Sequence, residues 1–152
     1  MARVEKSVLI EYSAGQMFDL VEDIESYPQF LPWCGGTRVD FRDERRTVAT
    51  TYVNVHGAKA HFTTENAKER PAWMTMKLVE GPFRHLEGSW RFKPLGENAC
   101  KVEFQISYEF SNKMLDKIVG QVFNQIANTF VEAFVKRAHQ VYPLPPENDK
   151  GR

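Results

Sequence analysis

Along most of this chain hydrophobic and polar residues alternate with period two, and in two places the period lengthens to that of a helix. Val4, Val8 and Ile10 share one face of a first predicted strand, Arg3 to Tyr12. A helix start follows it. Ser13 and Gln16 have capping-box spacing, Tyr12 and Met17 suit a hydrophobic staple, and Met17, Leu20, Val21 and Ile24 form an apolar stripe. Pro28 and Pro32 interrupt regular structure, so Tyr27 to Gly36 reads as a loop or a broken short helix.

A long β region comes next. Thr37 to Phe41 alternates, the polar run Asp43 to Arg46 suits a hairpin turn, and Thr47 to Val55 is rich in β-branched residues. Beyond Gly57, Ala60, Phe62 and Thr64 share a face of a strand ending near Asn66. Met74, Met76 and Leu78 share a face of Trp73 to Val79, and Leu86, Gly88, Trp90 and Phe92 share the next. Cys100 to Phe110 is the clearest strand. Cys100, Val102, Phe104, Ile106, Tyr108 and Phe110 form its dry face against Lys101, Glu103, Gln105, Ser107 and Glu109. Ser111 or Asn112 then caps a helix to about Tyr142, roughly 45 Å long at about 1.5 Å per residue. Its expected buried stripe is Leu115, Ile118, Val122, Ile126, Phe130, Phe134 and Val141, widened by Phe123, Ala127, Val131, Ala133 and Ala138.

The order is strand, helix, a meander of about six strands, then one long helix, whose wide stripe can be buried only on the inner face of the sheet. A sheet of this many strands twists and curls, leaving room between itself and the helix. The fold class expected is α+β: a curved antiparallel sheet around a long C-terminal helix, with a short N-terminal helical region. One domain spans 1–142, and a tail, 143–152, is expected to be disordered.

Composition sharpens this. Eleven Phe, five Tyr and three Trp in 152 residues supply more large apolar surface than a minimal core needs. Twenty basic residues balance twenty acidic ones, which argues against a general electrostatic grip on DNA or anionic lipid. Cys34 and Cys100 form no CxxC pair and read as reduced. No apolar leader or long apolar run occurs, so a cytoplasmic protein is expected, peripheral at most at the inner membrane face.

Catalytic chemistry finds little support. No GxSxG or comparable nucleophile signature is present, and Cys34 sits in FLPWCGG without an adjacent cation to lower its pKa. His56 and His61 flank Gly57 and could meet across a hairpin, but a metal needs further ligands, and none is expected. His85 could make a polar contact at a cavity mouth, and Glu80 and Glu87 read as ion-pair partners for Arg84 or Arg91. Phe30-Leu31-Pro32-Trp33 is poor loop chemistry unless it caps something apolar: a cavity entrance, a membrane surface or a partner.

From Val4 to Tyr142 the chain resembles the bacterial RatA proteins, relatives of the mitochondrial coenzyme Q-binding START-domain proteins. The resemblance is carried by Tyr27-Pro28-x-Phe30-Leu31-Pro32-Trp33-Cys34, by Phe62-Thr63-Thr64-Glu65-Asn66, and by Gly81-Pro82-Phe83-Arg84-x-Leu86-x-Gly88-x-Trp90-x-Phe92. Phe123-Asn124-x-Ile126-Ala127 and Ala133-Phe134-x-x-Arg137-Ala138 complete it. It implies a START/Bet v1-like helix-grip fold and two functions. One branch binds ubiquinone and supports respiratory electron transport. The other is a toxin that blocks ribosomal subunit association. A polyketide-cyclase label is also common among such proteins, and no residues here support it.

The leading expectation is therefore non-enzymatic binding of ubiquinone or a similar polyisoprenoid lipid between sheet and helix, with transient membrane contact. The alternative partner is a ribosomal subunit. Trp33, Met74, Met76, Phe83, Trp90, Phe92, Phe104, Tyr108, Phe123 and Phe130 are the candidate ligand contacts, with Phe30, Leu31 and Pro32 as a lid.

Overall fold

The computed structural model describes residues 1–55 and 57–142; the expected disordered tail, 143–152, lies outside them, as does His56. The elements run β1 (Ala2–Ile10), α1 (Ala14–Glu22), a 3₁₀ helix (Ile24–Gln29), β2 (Cys34–Arg42), β3 (Arg46–Val55), β4 (Ala58–Glu69), β5 (Trp73–Glu80), β6 (Phe83–Gly96), β7 (Ala99–Phe110) and α2 (Lys113–Val141). The strands form one antiparallel sheet in the order β1-β7-β6-β5-β4-β3-β2. Only β1 leaves chain order: it returns to pair with β7, while α1 and the 3₁₀ helix carry the chain to the opposite edge. Register shifts at Val39/Phe41, Thr63/Thr64 and Phe83/His85 add the local bends that curve such a sheet. α2 crosses its concave face.

Both helix starts are capped. Ser13 Oγ accepts from Gln16 N at 3.1 Å while Gln16 Oε1 accepts from Ser13 N at 2.9 Å, the reciprocal box its spacing predicts. At α2 the cap is Asn112, not Ser111: Asn112 Oδ1 accepts from Leu115 N at 2.9 Å. The ring of Tyr12 packs on His139 and Tyr142, and its hydroxyl lies 2.9 Å from His139 Nδ1. The Tyr142 hydroxyl donates to Gln16 O at 2.9 Å. The start of α1 is thus tied to the end of α2.

β2 and β4 extend beyond expectation, and the broken short helix is of the 3₁₀ type. Tyr27 to Gln29 belong to the 3₁₀ helix despite Pro28, and Cys34 to Gly36 already lie in β2, joined to β3 through a bulge. So short a helix has few backbone donors to lose to a proline. β4 runs past Asn66 to Glu69 because its inner face accepts Lys68, whose ammonium meets Glu22 Oε2 of α1 and donates to Thr47 Oγ1 at 2.9 Å. A charge can be buried where it is paired and hydrogen-bonded.

The expected stripe on α2 holds only in part. Ile126, Ala127, Val131, Phe134 and Ala138 are buried, but Ile118 is 63% exposed and Val141 43%. Beyond the sheet's rim the front turns of the helix have less to cover them. The core centres on Trp90. Its ring lies 4.7 Å from Phe104, 5.3 Å from Phe134 and 5.7 Å from Phe130, in tilted or edge-on contacts. Phe134→Ala should therefore cost about 3–5 kcal/mol in urea unfolding, whereas Ile118→Ser should stay within about 0.5 kcal/mol.

Candidate functional site

Between the sheet and α2 lies an enclosed, largely apolar chamber of about 80 Å³. Strands β5 to β7 contribute Met74, Met76, Trp90 and Phe104, α2 contributes Phe123 and Phe130, and Trp33 closes it from the segment before β2. Met76 reaches over Gly88, where an added Cβ would fall 2.6 Å from Met76 Cε and 2.9 Å from the Gln105 carbonyl oxygen. The glycine is needed there for the close approach.

A second, wider apolar cleft of about 350 Å³ opens beside the front of α2, between Leu115, Ile118, Val119 and Val122 on the helix and Val53, Ala60, Pro82, Phe83 and Phe110 on the sheet. Phe62, Phe123 and Ile126 line both spaces. The Phe62 and Phe123 rings stand 6.3 Å apart and nearly perpendicular, forming the partition.

Of the candidate contacts, then, Trp33, Met74, Met76, Trp90, Phe104, Phe123 and Phe130 surround the chamber, and Phe83 lines the cleft. Phe92 and Tyr108 line neither. Phe92 is committed to packing, edge-on against Phe18 at 5.8 Å. Tyr108 stacks edge-on to Phe123 at 4.7 Å, and its hydroxyl donates to Asn124 Oδ1 at 3.2 Å. Burial, with a smaller effect of Asp116, raises the pKa of that hydroxyl.

The three residues expected as a lid lie away from both spaces. Leu31 is fully buried, and Phe30 packs edge-on against Tyr27 and Phe134 with the Arg137 guanidinium 5.1 Å above its ring. Pro32 is exposed, and none of the three lines chamber or cleft. The segment is packing beneath the rear of α2, while the cleft opens at its front.

The sequence assigns Ala60, Phe62 and Thr64 to the inner face of β4, with Asn66 only part of the resemblance and no ligand contact expected there, and this face carries the polar part of the chamber. Asn66 and Thr64 face the space with Thr51 of the neighbouring strand. Asn66 is only 6% exposed, and its Oδ1 is buried without a hydrogen-bond partner. The available signal was the run Phe62, Thr64, Asn66, Lys68, in which polar residues occupy the positions that alternation assigns to the dry side. Among the described residues Tyr27 is the one titratable side chain on the wall. Its hydroxyl donates to Val21 O at 2.6 Å, and burial drives its pKa far above the ordinary value.

Other polar candidates fall elsewhere. His85 sits on the outer face of the sheet, 3.2 Å from Ser107 Oγ and 3.9 Å from Glu87, away from the cavity mouth. Arg84 pairs with Glu109 at 3.3 Å, not with Glu80 or Glu87. Cys34 is buried within β2, and burial raises both thiols, that of Cys100 to about 11. Among the described residues no group of three or more His, Cys, Asp or Glu is placed to hold a metal ion.

These features can be set beside known proteins. The family model described as polyketide cyclase / dehydrase and lipid transport matches residues 10–135. The ribosome association toxin RatA of Vibrio cholerae is 44% identical over 142 residues, covering 93% of this chain and 99% of that protein. The mitochondrial coenzyme Q-binding protein COQ10 homolog B of Xenopus laevis is 29% identical over 109 residues, 69% of this chain and 45% of that one. A START superfamily protein from Mycobacterium smegmatis shares the fold with a TM-score of 0.72 over 91% of this chain and 98% of its own, at 21% identity. A helix gripped by a seven-stranded sheet, and a family match over most of its length, place this chain in the polyketide cyclase / dehydrase and lipid transport family.

Proposed function

We propose that this protein binds, without transforming it, a lipid with a small polar ring and a long apolar tail, ubiquinone or a similar polyisoprenoid, in support of respiratory electron transport. The observation that carries this is the chamber itself: an apolar space with a few polar groups on one wall, adjoining a wider apolar cleft. Small-molecule sites typically have this composition and occupy about 300–1,000 Å³, so the cleft suits a tail, while the smaller chamber would take a ring by displacing the partition between the two spaces. The name of the frog relative points the same way.

Binding is favoured over catalysis because the wall, among the described residues, offers only Tyr27 as a titratable group, and its proton is held by a backbone carbonyl. No helix among the described residues is long and apolar enough to cross a membrane, so exchange of lipid would take place from a peripheral, cytoplasmic position. Met114 and Ile118, both largely exposed at the front of α2, would touch the membrane during that exchange.

A second reading, inhibition of ribosomal subunit association, is favoured by the higher identity to the protein named as a ribosome association toxin. Lys113 and Lys117, exposed at the front of α2, are the cations for that contact. Arg137 is unsuited, since it donates to Gln29 Oε1 at 2.8 Å and covers Phe30.

Organic extraction of the freshly purified protein, followed by mass spectrometry, should recover quinone in near-stoichiometric amount; none recovered from a quinone-replete cell overturns the leading reading. Ribosome sedimentation profiles should not respond to the protein. If intact ribosomes split into subunits, and Lys113→Glu with Lys117→Glu abolishes the effect, the second reading holds. That contact should weaken with salt by roughly one unit of log–log slope per phosphate neutralised.

The cysteines test the non-catalytic reading separately. Raised thiol pKa values keep Cys34 and Cys100 protonated at pH 8, so iodoacetamide should label neither in the folded protein and both in urea. Rapid native labelling of either would reveal an activated thiol.

A further inference from the structure

Asn66 is an anomaly of the kind that points outward from a protein. A buried polar atom without a partner is costly, and nearly all such atoms in native structures find one. Asn66 Oδ1 has none, although the residue is 6% exposed and belongs to a well-formed central strand. Its neighbours are satisfied by other means: Thr47, across the strand pair from it, accepts from Lys68, and Thr50 bonds Thr63 at 2.7 Å on the outer face. Asn66 faces the chamber, where Thr51 and Thr64 add two hydroxyls, each able to donate and accept.

We infer that Asn66 is the residue that selects the ligand's ring, and that the ring it selects carries a hydroxyl: the reduced, hydroquinone form of a quinone, or a phenol of the same shape. The unpaired atom is a carbonyl oxygen, which can only accept. An oxidised quinone ring presents carbonyl and ether oxygens, which also only accept: Asn66 Nδ2 and the Thr51 and Thr64 hydroxyls can donate to them, but Asn66 Oδ1 stays unpaired. A hydroquinone hydroxyl donates to it. The chamber beside Asn66, about 80 Å³, is smaller than the roughly 150 Å³ that holds a benzene ring, so the Phe62–Phe123 partition shifts to admit the ring, and the tail passes Phe62, Phe123 and Ile126 into the larger cleft. This inference rests on the quinone-type reading of the chamber and adds its redox preference.

The test titrates the full-length protein with a short-chain ubiquinone and, under anaerobic conditions, with its hydroquinone, following quenching of Trp33 and Trp90, which line the chamber. The wild type should bind the hydroquinone about tenfold more tightly, the scale of one buried hydrogen bond. Asn66→Leu, nearly isosteric, should remove that difference while leaving the melting temperature unchanged or higher, because the unpaired carbonyl is gone. A purely structural asparagine would show the reverse, a lower melting temperature with the redox preference intact.

Equal affinity of the wild type for both forms, or a preference that survives in Asn66→Leu, overturns the selection by Asn66 and leaves quinone binding standing. Binding of neither form to the wild type removes both readings together. Since the wild-type preference needs no variant, the inference stays open to refutation even if Asn66→Leu folds poorly.

Discussion

A helix of 29 residues, about 43 Å at 1.5 Å per residue, must be held by a sheet that covers only part of its length. Everything notable about this molecule follows from where that hold is placed. The rear half of α2 is pinned: Phe134 and Ala138 are buried, Tyr12 and Tyr142 tie the last turn to α1, and Arg137 closes over Phe30. The front half is held less, by Phe123 against Tyr108 and Phe83 and by the Tyr108–Asn124 hydrogen bond. Its capped first turn leaves Met114 and Ile118 exposed, with an apolar cleft beneath Leu115 and Val122. A sheet that gripped the whole helix would leave no cleft. One that gripped less would leave the helix unsupported, since packing supplies most of a helix's stability.

The aromatic residues serve both the hold and the spaces beside it. Around Trp90 they pack closely while also walling the chamber, and Phe62 and Phe123 form the partition between chamber and cleft. Aromatic rings suit both tasks, because edge-to-face contacts are favourable over a range of separations. Their abundance in the composition therefore does not separate packing from lining.

The fold was legible in the residues because its signals are local and redundant. β7 alternates through six buried positions, the Ser13–Gln16 spacing forms the box it advertises, and one wide apolar stripe admits few ways to be buried. The site was legible only in outline. Trp33, Met76 and Phe130 were identifiable as large apolar residues on the correct faces, and so were Phe92 and Tyr108, which turn out to belong to the core and to α2's polar contacts. Periodicity assigns a side of a strand, not a depth along it. The expectation of a lid has a related origin: Phe30 and Leu31 look stranded in a proline-broken loop until the rear of α2, a hundred residues later in the chain, arrives to cover them. Asn66 was passed over because an apolar search discounts a polar residue, even where alternation turns it inward.

The Glu22–Lys68–Thr47 cluster beneath α1 bears on how this sequence can change. One carboxylate oxygen of Glu22 is already without a partner, the other holds the Lys68 ammonium, and Arg42 braces Glu22 from outside at 3.1 Å. Removing Glu22 alone strands the Lys68 ammonium in a buried site at a cost of several kcal/mol, about 3–5 in comparable cases, whereas removing Lys68 leaves Glu22 its Arg42 partner, and exchanging both for apolar residues is often neutral. In evolutionary descent, position 22 should thus not lose its charge before position 68 does, though they lie on different elements and far apart in the chain.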